Sequence, residues 1–434
     1  MSPTAAGVLG LAALFVLFFF RMPIGISMLL VGGIGFASLV NWPAASSLLG
    51  SEAYHVTSNY ALSVIPLFVL MGHFATLSGM ARDFYAAAYA WIGHWRGGLA
   101  GATIAACSGF SALSGSSVAT AATIGQVALP EMRRYRYNNR LATGAVAAGG
   151  TLGILIPPSA GMVVYAILTE QSIGRLFLAG VLPGLLLTAM FLLTILIVCA
   201  MYPSYGPPGE RLLRAERLRA TLRAVPMFAI VLLTIGGIYV GLFTPSEAAA
   251  VGAFLAMLLA GVRGALSVRA FFKVLLETVR TSGLIFLILI GATLFSQFIA
   301  VTQIPANLTE FLVGLNLPKI VVLTIILATY IVLGMFMEGF AMMVLTLPVV
   351  FPIVTALGYD PIWFGVIMVI VLEMGLISPP VGVNVFVVKG VAGDVPMNEI
   401  FAGILPFWAA MIVTIAVLVV LPEIALMLPN SMIR

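Results

Sequence analysis

The sequence predicts an all-α membrane protein: a polytopic helical bundle of two inverted repeats, each holding a re-entrant hairpin and a broken helix. Three observations predict it. The 434 residues are 62% hydrophobic and 8% charged, whereas a soluble domain carries about a quarter charged residues. Apolar runs of roughly 18 residues or more, the length a membrane helix needs, recur along the whole chain. The two halves also match at a constant offset of 222 residues (157 to 379). That offset pairs Pro23 with Pro245, Pro130 with Pro352, Tyr137 with Tyr359, Gly153 with Gly375 and Pro157-Pro158 with Pro379-Pro380. LGILIPPSAG and MGLISPPVGV align across it without a gap, and self-similarity at a fixed period marks a repeat.

The basic residues set the orientation of the halves. With Arg21 inside and spans alternating, 17 of the 20 Lys and Arg fall inside, all but Arg175, Lys319 and Arg434, a strong positive-inside bias. Both termini then lie on the outer face. The turn Arg133–Arg140 beside the first hairpin is basic, whereas Ala300–Leu317 before the second holds no Lys or Arg. The repeats are therefore expected to be inverted, with a substrate site near the bilayer midplane at their interface.

In chain order, the first repeat covers 1–202. Residues 5–20 and 24–41 read as helices, and 60–80 as a third. Ala5–Phe20 lacks a basic leader region and an A-x-A site, so it is read as a retained helix. Residues 81–97 form an amphipathic connector, 98–130 the hairpin, 141–170 the broken helix and 174–202 a further span. Residues 203–224, with Pro, Gly and five Arg, read as a cytoplasmic linker. The second repeat covers 225–434, with helices at 226–243, 246–262 and 281–300. Its hairpin lies at 318–353, its broken helix at 362–388 and a last long helix at 397–428. Thr244-Pro245-Ser246-Glu247 is a helix-capping box.

The composition also excludes several classes. Cys107 and Cys199 fall in apolar segments, which argues against a disulfide framework. His55, His73 and His94 lack metal-ligand spacing. The net charge of +5 comes from loops between spans, so no nucleic-acid role is expected.

The chemistry concentrates where membrane helices break. Freed backbone groups at membrane depth survive only where protein or a cavity covers them. Ser114-Gly115-Ser116-Ser117 reads as the first hairpin tip, with Gly to turn the chain and Ser for short hydroxyls. The returning half-helix points free N–H groups at an anion, while carbonyls of the ascending half suit Na⁺. The plainer reading is close helix contact through small residues. Gly149-Gly150-Thr151 and Pro157-Pro158 form the break opposite, where proline frees carbonyls; a simple kink is the alternative.

Gly334 to Gly339, with Met337 and Glu338, forms the second tip. Glu338 is an ionisable group at membrane depth, or else a helix cap. Glu373 lies one turn before Ser378-Pro379-Pro380, where it reads either as a group near the cation or as a buried structural hydrogen bond, and Asn384 follows that break as a candidate substrate contact. Ser116 or Ser117 with Glu338 would make a poor enzyme, because no His or Lys stands by as a base. Arg133, Arg134 and Arg136 read as topology determinants and lipid contacts. Arg211, Arg214, Arg217, Arg219 and Arg223 suit a helix on an anionic leaflet.

GSSVATAATIG, ALPEM, GTLGILIPPS, SIGRLFLAGVLPG, TPSEAAAVGAF, LGMFMEG, LPVVFPIV and GLISPPVGVNVFVV together resemble the large membrane (M, DctM-like) subunit of tripartite ATP-independent periplasmic (TRAP) transporters. The likeness runs from about Met22 to the C-terminus. Glu338 stands where Asp is common in that family, and Ser378 where Thr is common. The resemblance implies an elevator-type importer of the bacterial inner membrane, driven by a Na⁺ gradient, and not an enzyme. It implies a small membrane subunit, a periplasmic binding protein and a carboxylate-bearing substrate such as a dicarboxylate or a sialic acid. It places one cation at the Gly115–Ser117 tip with Gly149–Gly153 and a second at the Gly334–Glu338 tip with Gly375–Pro379. Around the first, our own reading of the residues selects Ser114, Gly115 and Ser116 with Gly150, Thr151 and Gly153, and around the second Gly334 and Met337 with Gly375, Ser378 and Pro379. Ser116, Ser117, Pro158, Glu338 and Asn384 are the expected substrate contacts. A stand-alone H⁺- or Na⁺-coupled organic-anion transporter of the same architecture is the competing reading.

Overall fold

The structure is a computed structural model that describes residues 2–20, 22–314 and 317–432. Arg21 and Arg434, two of the topology markers, lie outside the described residues, as do residues 315–316 within Ala300–Leu317. All regular structure among the described residues is helical. The first repeat holds α1 (Pro3–Phe19), α2 (Ile24–Leu39), α3 (Trp42–Ser58), a tight turn at Tyr60–Ser63 leading into α4 (Val64–Leu77), and α5 (Met80–Ile92). The hairpin α6 (Gly98–Ser114) and α7 (Ser117–Arg134) follows, then the broken helix α8 (Asn139–Leu155) and α9 (Ala160–Leu168), then α10 (Ile173–Met201). The second repeat holds α11 (Arg214–Tyr239), α12 (Pro245–Val262), α13 (Val268–Val301) and α14 (Ile304–Gly314). Its hairpin is α15 (Lys319–Gly334) and α16 (Gly339–Ala356), its broken helix α17 (Pro361–Leu376) and α18 (Val383–Ala392), and α19 (Met397–Val420) and α20 (Glu423–Ser431) close it. Among the described residues, seven helices are long and apolar enough to cross a bilayer, and α8 with α9, bent by 42°, makes an eighth.

The repeat carries through to local chemistry. α7 and α16 correspond residue for residue, and equivalent residues start equivalent helices. Asn138 Oδ1 accepts from the Arg140 amide at 2.9 Å, and its counterpart Asp360 accepts from Ile362 at 2.8 Å. Pro157-Pro158 and Pro379-Pro380 are both cis. The repeats interlock, because α2 packs along α13 and α4 along α12, one helix from each half in both pairs. Small residues permit the closeness: a Cβ on Gly32 would stand 2.7 Å from the Phe295 amide nitrogen.

Several boundaries differ from the sequence reading. α3 was not expected, since Trp42–Ser58 is only moderately apolar; Asn41 starts it by accepting from the Ala44 amide at 2.7 Å. Residues 81–97 contain α5, whose Met80, Phe84, Tyr85 and Ala90 are buried. The linker is irregular only up to Leu213, and Arg214–Arg223 form the first turns of α11. The span expected at 281–300 is the C-terminal part of α13, 34 residues long. Ala300–Leu317 contains α14. The returning helices run through Pro130 and Pro352 to Arg134 and Ala356, since packed membrane helices tolerate proline. The last helix divides at Leu421–Pro422.

Candidate functional site

At the first tip, α6 ends at Ser114 and Gly115 turns the chain at φ +60°, a conformation that glycine adopts freely. Ser116 is extended and caps α7, its Oγ accepting from the Ala119 amide at 3.3 Å. The hydroxyls of Ser114 and Thr120 meet at 2.6 Å and brace the loop. The tip rests on the break opposite: a Cβ on Gly115 would stand 3.0 Å from the Pro158 carbonyl oxygen. A Cβ on Gly153 would stand 2.5 Å from the Ser116 carbonyl oxygen, and one on Gly150 3.2 Å from that of Ser117. The structure therefore gathers Gly115, Ser116, Ser117, Gly150, Gly153 and Pro158. Thr151 is buried, and its hydroxyl donates to the Ala148 carbonyl at 2.6 Å.

At the second tip, Glu338 caps α16, its Oε2 accepting from the Ala341 amide at 3.2 Å. Gly334 and Gly375 lie backbone to backbone, so that a Cβ on Gly375 would stand 2.5 Å from the Gly334 Cα. The Met337 amide donates to the Leu333 carbonyl at 3.0 Å and continues the end of α15. Ser378 is already engaged. Its hydroxyl donates to the Met374 carbonyl at 2.6 Å and accepts from Trp408 Nε1 at 3.0 Å. Pro379 follows it into the cis bond.

Between the tips lies a pair that the sequence reading treated separately. Glu373 on α17 and Asn384 on α18 are both buried, with Asn384 Nδ2 3.4 Å from Glu373 Oε2. Glu373 Oε1 and Asn384 Oδ1 have no donor among the described residues. Buried acceptors are normally satisfied, so two together mark a place for a water, a proton or a cation. Ser117 stands beside this carboxylate, and Glu338 is near enough to act on it electrostatically. The first tip thus meets the second repeat here. Arg133, read as a topology determinant, reaches across the repeats and donates to the Ala392 carbonyl at the end of α18.

A cavity of about 200 Å³ opens at the first tip. Ser114, Gly115, Ser116, Ala119 and Pro158 form one wall, Phe340 of the second hairpin touches it, and α4 and α13 close the other side with His73, Thr76 and Thr281. The sequence reading missed those three. They lie on α4 and α13, away from the breaks, and only packing brings them to the tip.

Known proteins resemble this chain along most of its length. A family model described as "Tripartite ATP-independent periplasmic transporter, DctM component" matches residues 11–424. The C4-dicarboxylate TRAP transporter large permease protein DctM of Pseudomonas aeruginosa is 39% identical over 89% of this chain and 90% of its own. The sialic acid TRAP transporter large permease protein SiaM of Vibrio cholerae is 33% identical over 95% and 96%. Among solved structures, that of the Alcanivorax borkumensis YdaH transporter superposes with a TM-score of 0.69, covering 94% of this chain and 97% of that one at 14% identity, a likeness of fold alone. With its repeated spans and its match along nearly the whole length, this chain belongs to the DctM component family of tripartite ATP-independent periplasmic transporters, as a multi-pass protein of the bacterial inner membrane.

Proposed function

We propose that this chain is the large transmembrane subunit of a secondary importer that moves a carboxylate-bearing organic acid inward by Na⁺ symport. A periplasmic binding protein delivers the acid, and a small membrane subunit completes the transporter. The relatives named for C4-dicarboxylate and sialic acid support that substrate class. The observation that carries the reading is the pairing of opposite chemistries at one place. The N-terminus of α7, with its partial positive charge, meets the cavity behind a neutral cap, Ser116. Beside it, Glu373 and Asn384 present unpaired acceptor oxygens, and the carbonyls of Ser116 and Ser117 lie against the glycines of α8.

An anion at the helix end and a cation at the oxygens stabilise each other where the dielectric is low. Their binding is therefore linked. The hairpins and broken helices carry the bound pair as one body. The interlocked α2–α13 and α4–α12 pairs supply the frame it moves against.

The test is uptake into proteoliposomes holding this chain, its small subunit and its binding protein, assayed with succinate and N-acetylneuraminate under imposed Na⁺ gradients. Uptake of one acid that needs inward Na⁺ and the binding protein is expected. Uptake that ignores Na⁺, follows a pH gradient and is lost in Glu373→Gln would move the coupling to protonation of that carboxylate. Uptake without any binding protein would favour a stand-alone transporter.

A further inference from the structure

We propose that His73, braced by Glu277, is the proton-dependent receptor for a substrate carboxylate on the wall of the cavity facing the first tip. The inference rests on the reading of that cavity as the transport site. Among the cavity's lining residues, His73 alone can carry positive charge; the other polar groups there are the hydroxyls of Thr76, Ser114, Ser116 and Thr281 and the backbone. Its Nδ1 lies 3.8 Å from Glu277 Oε2, and both side chains are part-exposed, at 30% and 42%.

A neutral imidazole has one N–H. With Nδ1–H turned to Glu277, Nε2 offers only a lone pair, which repels a carboxylate. A proton taken from water at Nε2 makes the ring a donor on both sides, and the imidazolium then bridges Glu277 and the incoming carboxylate. When the substrate leaves, the same proton returns to water, so charge and protons balance over the cycle.

The surroundings leave this switch to the pair itself. On α13, Lys273 lies 3.9 Å from Glu277 Oε1 and offsets part of its charge, and Arg280 follows on the same helix. α6 and α9, which also pack on α4, carry only Cys107 and Tyr165 as titratable groups. On α12, Glu247 is bonded to its own cap, Thr244. At the α5 end, Asp83 is paired with Arg263 at 2.5 Å.

His73 belongs to α4, which packs on α12 and α13 and lies outside both hairpins. Its proton therefore stays with the frame and does not travel with the substrate. Acidity should change how tightly the acid is held at this face, not how many protons cross.

The experiment is uptake by the complete transporter at equal pH on both sides, from about pH 4.5 to 8, a window that extends well below the ordinary histidine range. In the wild type, KM should rise as pH rises through the His73 titration, while kcat stays level. His73→Gln keeps a neutral donor but cannot gain charge. Its KM should be about tenfold higher at pH 6, the effect of one charge-assisted hydrogen bond, and flat with pH. Glu277→Gln should move the wild-type KM transition to lower pH. Histidine NMR on the complete transporter, with this chain alone carrying labelled histidine and His55 and His94 replaced, should show the His73 ring gaining a proton when the transported acid is added. A wild type that moves none of the acids overturns the transport-site reading. A wild type that transports, with His73→Gln matching its KM at every pH, overturns the role of His73 alone.

Discussion

The two hairpin tips occupy equivalent places in the repeat but share no residue, Ser114-Gly115-Ser116-Ser117 standing against Phe336-Met337-Glu338-Gly339, and the position that caps the returning helix changes its charge. Ser116 caps α7 with a neutral hydroxyl, and its counterpart 222 residues on, Glu338, caps α16 with a carboxylate. The capped amides, Ala119 and Ala341, are themselves equivalent. A carboxylate at a helix N-terminus satisfies the helix dipole from within the chain. The second tip therefore has little attraction left for an outside anion, while the first keeps its own. The cavity lies at the first tip. The lesson is that a structural repeat need not repeat its electrostatics: the first tip closes its helix with a neutral hydroxyl, and the second with a charge of its own.

The comparison can be broken in steps. The largest effect should come from Gly115→Val. A β-branched residue is strained at φ +60°, and its Cβ would press on the Pro158 carbonyl at 3.0 Å. Uptake should fall below detection while size-exclusion profiles stay those of folded protein. Next, Ser116→Asp gives the first tip the second tip's kind of cap. The KM for the transported acid should rise at least tenfold, about 1.4 kcal/mol, with Glu338→Ser changing it far less; equal effects from the two would erase the distinction drawn here. Asn384→Ala should then raise the Na⁺ concentration for half-maximal uptake several-fold by removing one of the two unpaired oxygens, and an unchanged Na⁺ curve would place the cation elsewhere. The smallest effect should be that of Trp408→Phe, which loses one hydrogen bond to Ser378, worth about 1 kcal/mol. Thermal unfolding in detergent should show a shift of a few degrees with transport retained.

Much of this was legible in the residues. Proline and glycine punctuate a membrane chain strongly, so the breaks at Pro157-Pro158 and Pro379-Pro380 and both hairpin turns could be located from the sequence, and the constant offset paired them. Element ends were less legible. Pro130 and Pro352 looked like stops but sit inside packed helices, where neighbours tolerate them. α3 hid because its composition is mixed. At the site, the tips announce themselves by residue type, whereas His73, Thr76 and Thr281 do not. His73 and Thr76 are a turn apart on α4 and Thr281 sits beside Arg280 and Ser282 on α13, with no break to mark them, and their meaning comes from the close approach of α4 and α13 to the first tip. The Glu373–Asn384 pair spans a break of the helix, so its contact depends on the angle of that break.

One helix fixes where water stands. α13 runs unbroken for 34 residues, about 51 Å at 1.5 Å per residue, against a hydrocarbon layer of about 30 Å. Its charged residues, Arg269, Lys273, Glu277 and Arg280, all precede an uncharged run from Ser282 to Val301 that is long enough to fill the layer by itself. The first four turns therefore project beyond the lipid on the side with the basic residues. Thr281, which lines the cavity, lies at that boundary, one turn past Glu277. The cavity at the first tip therefore meets α13 at the end of its uncharged run, on the side of the molecule where the helix carries its basic residues.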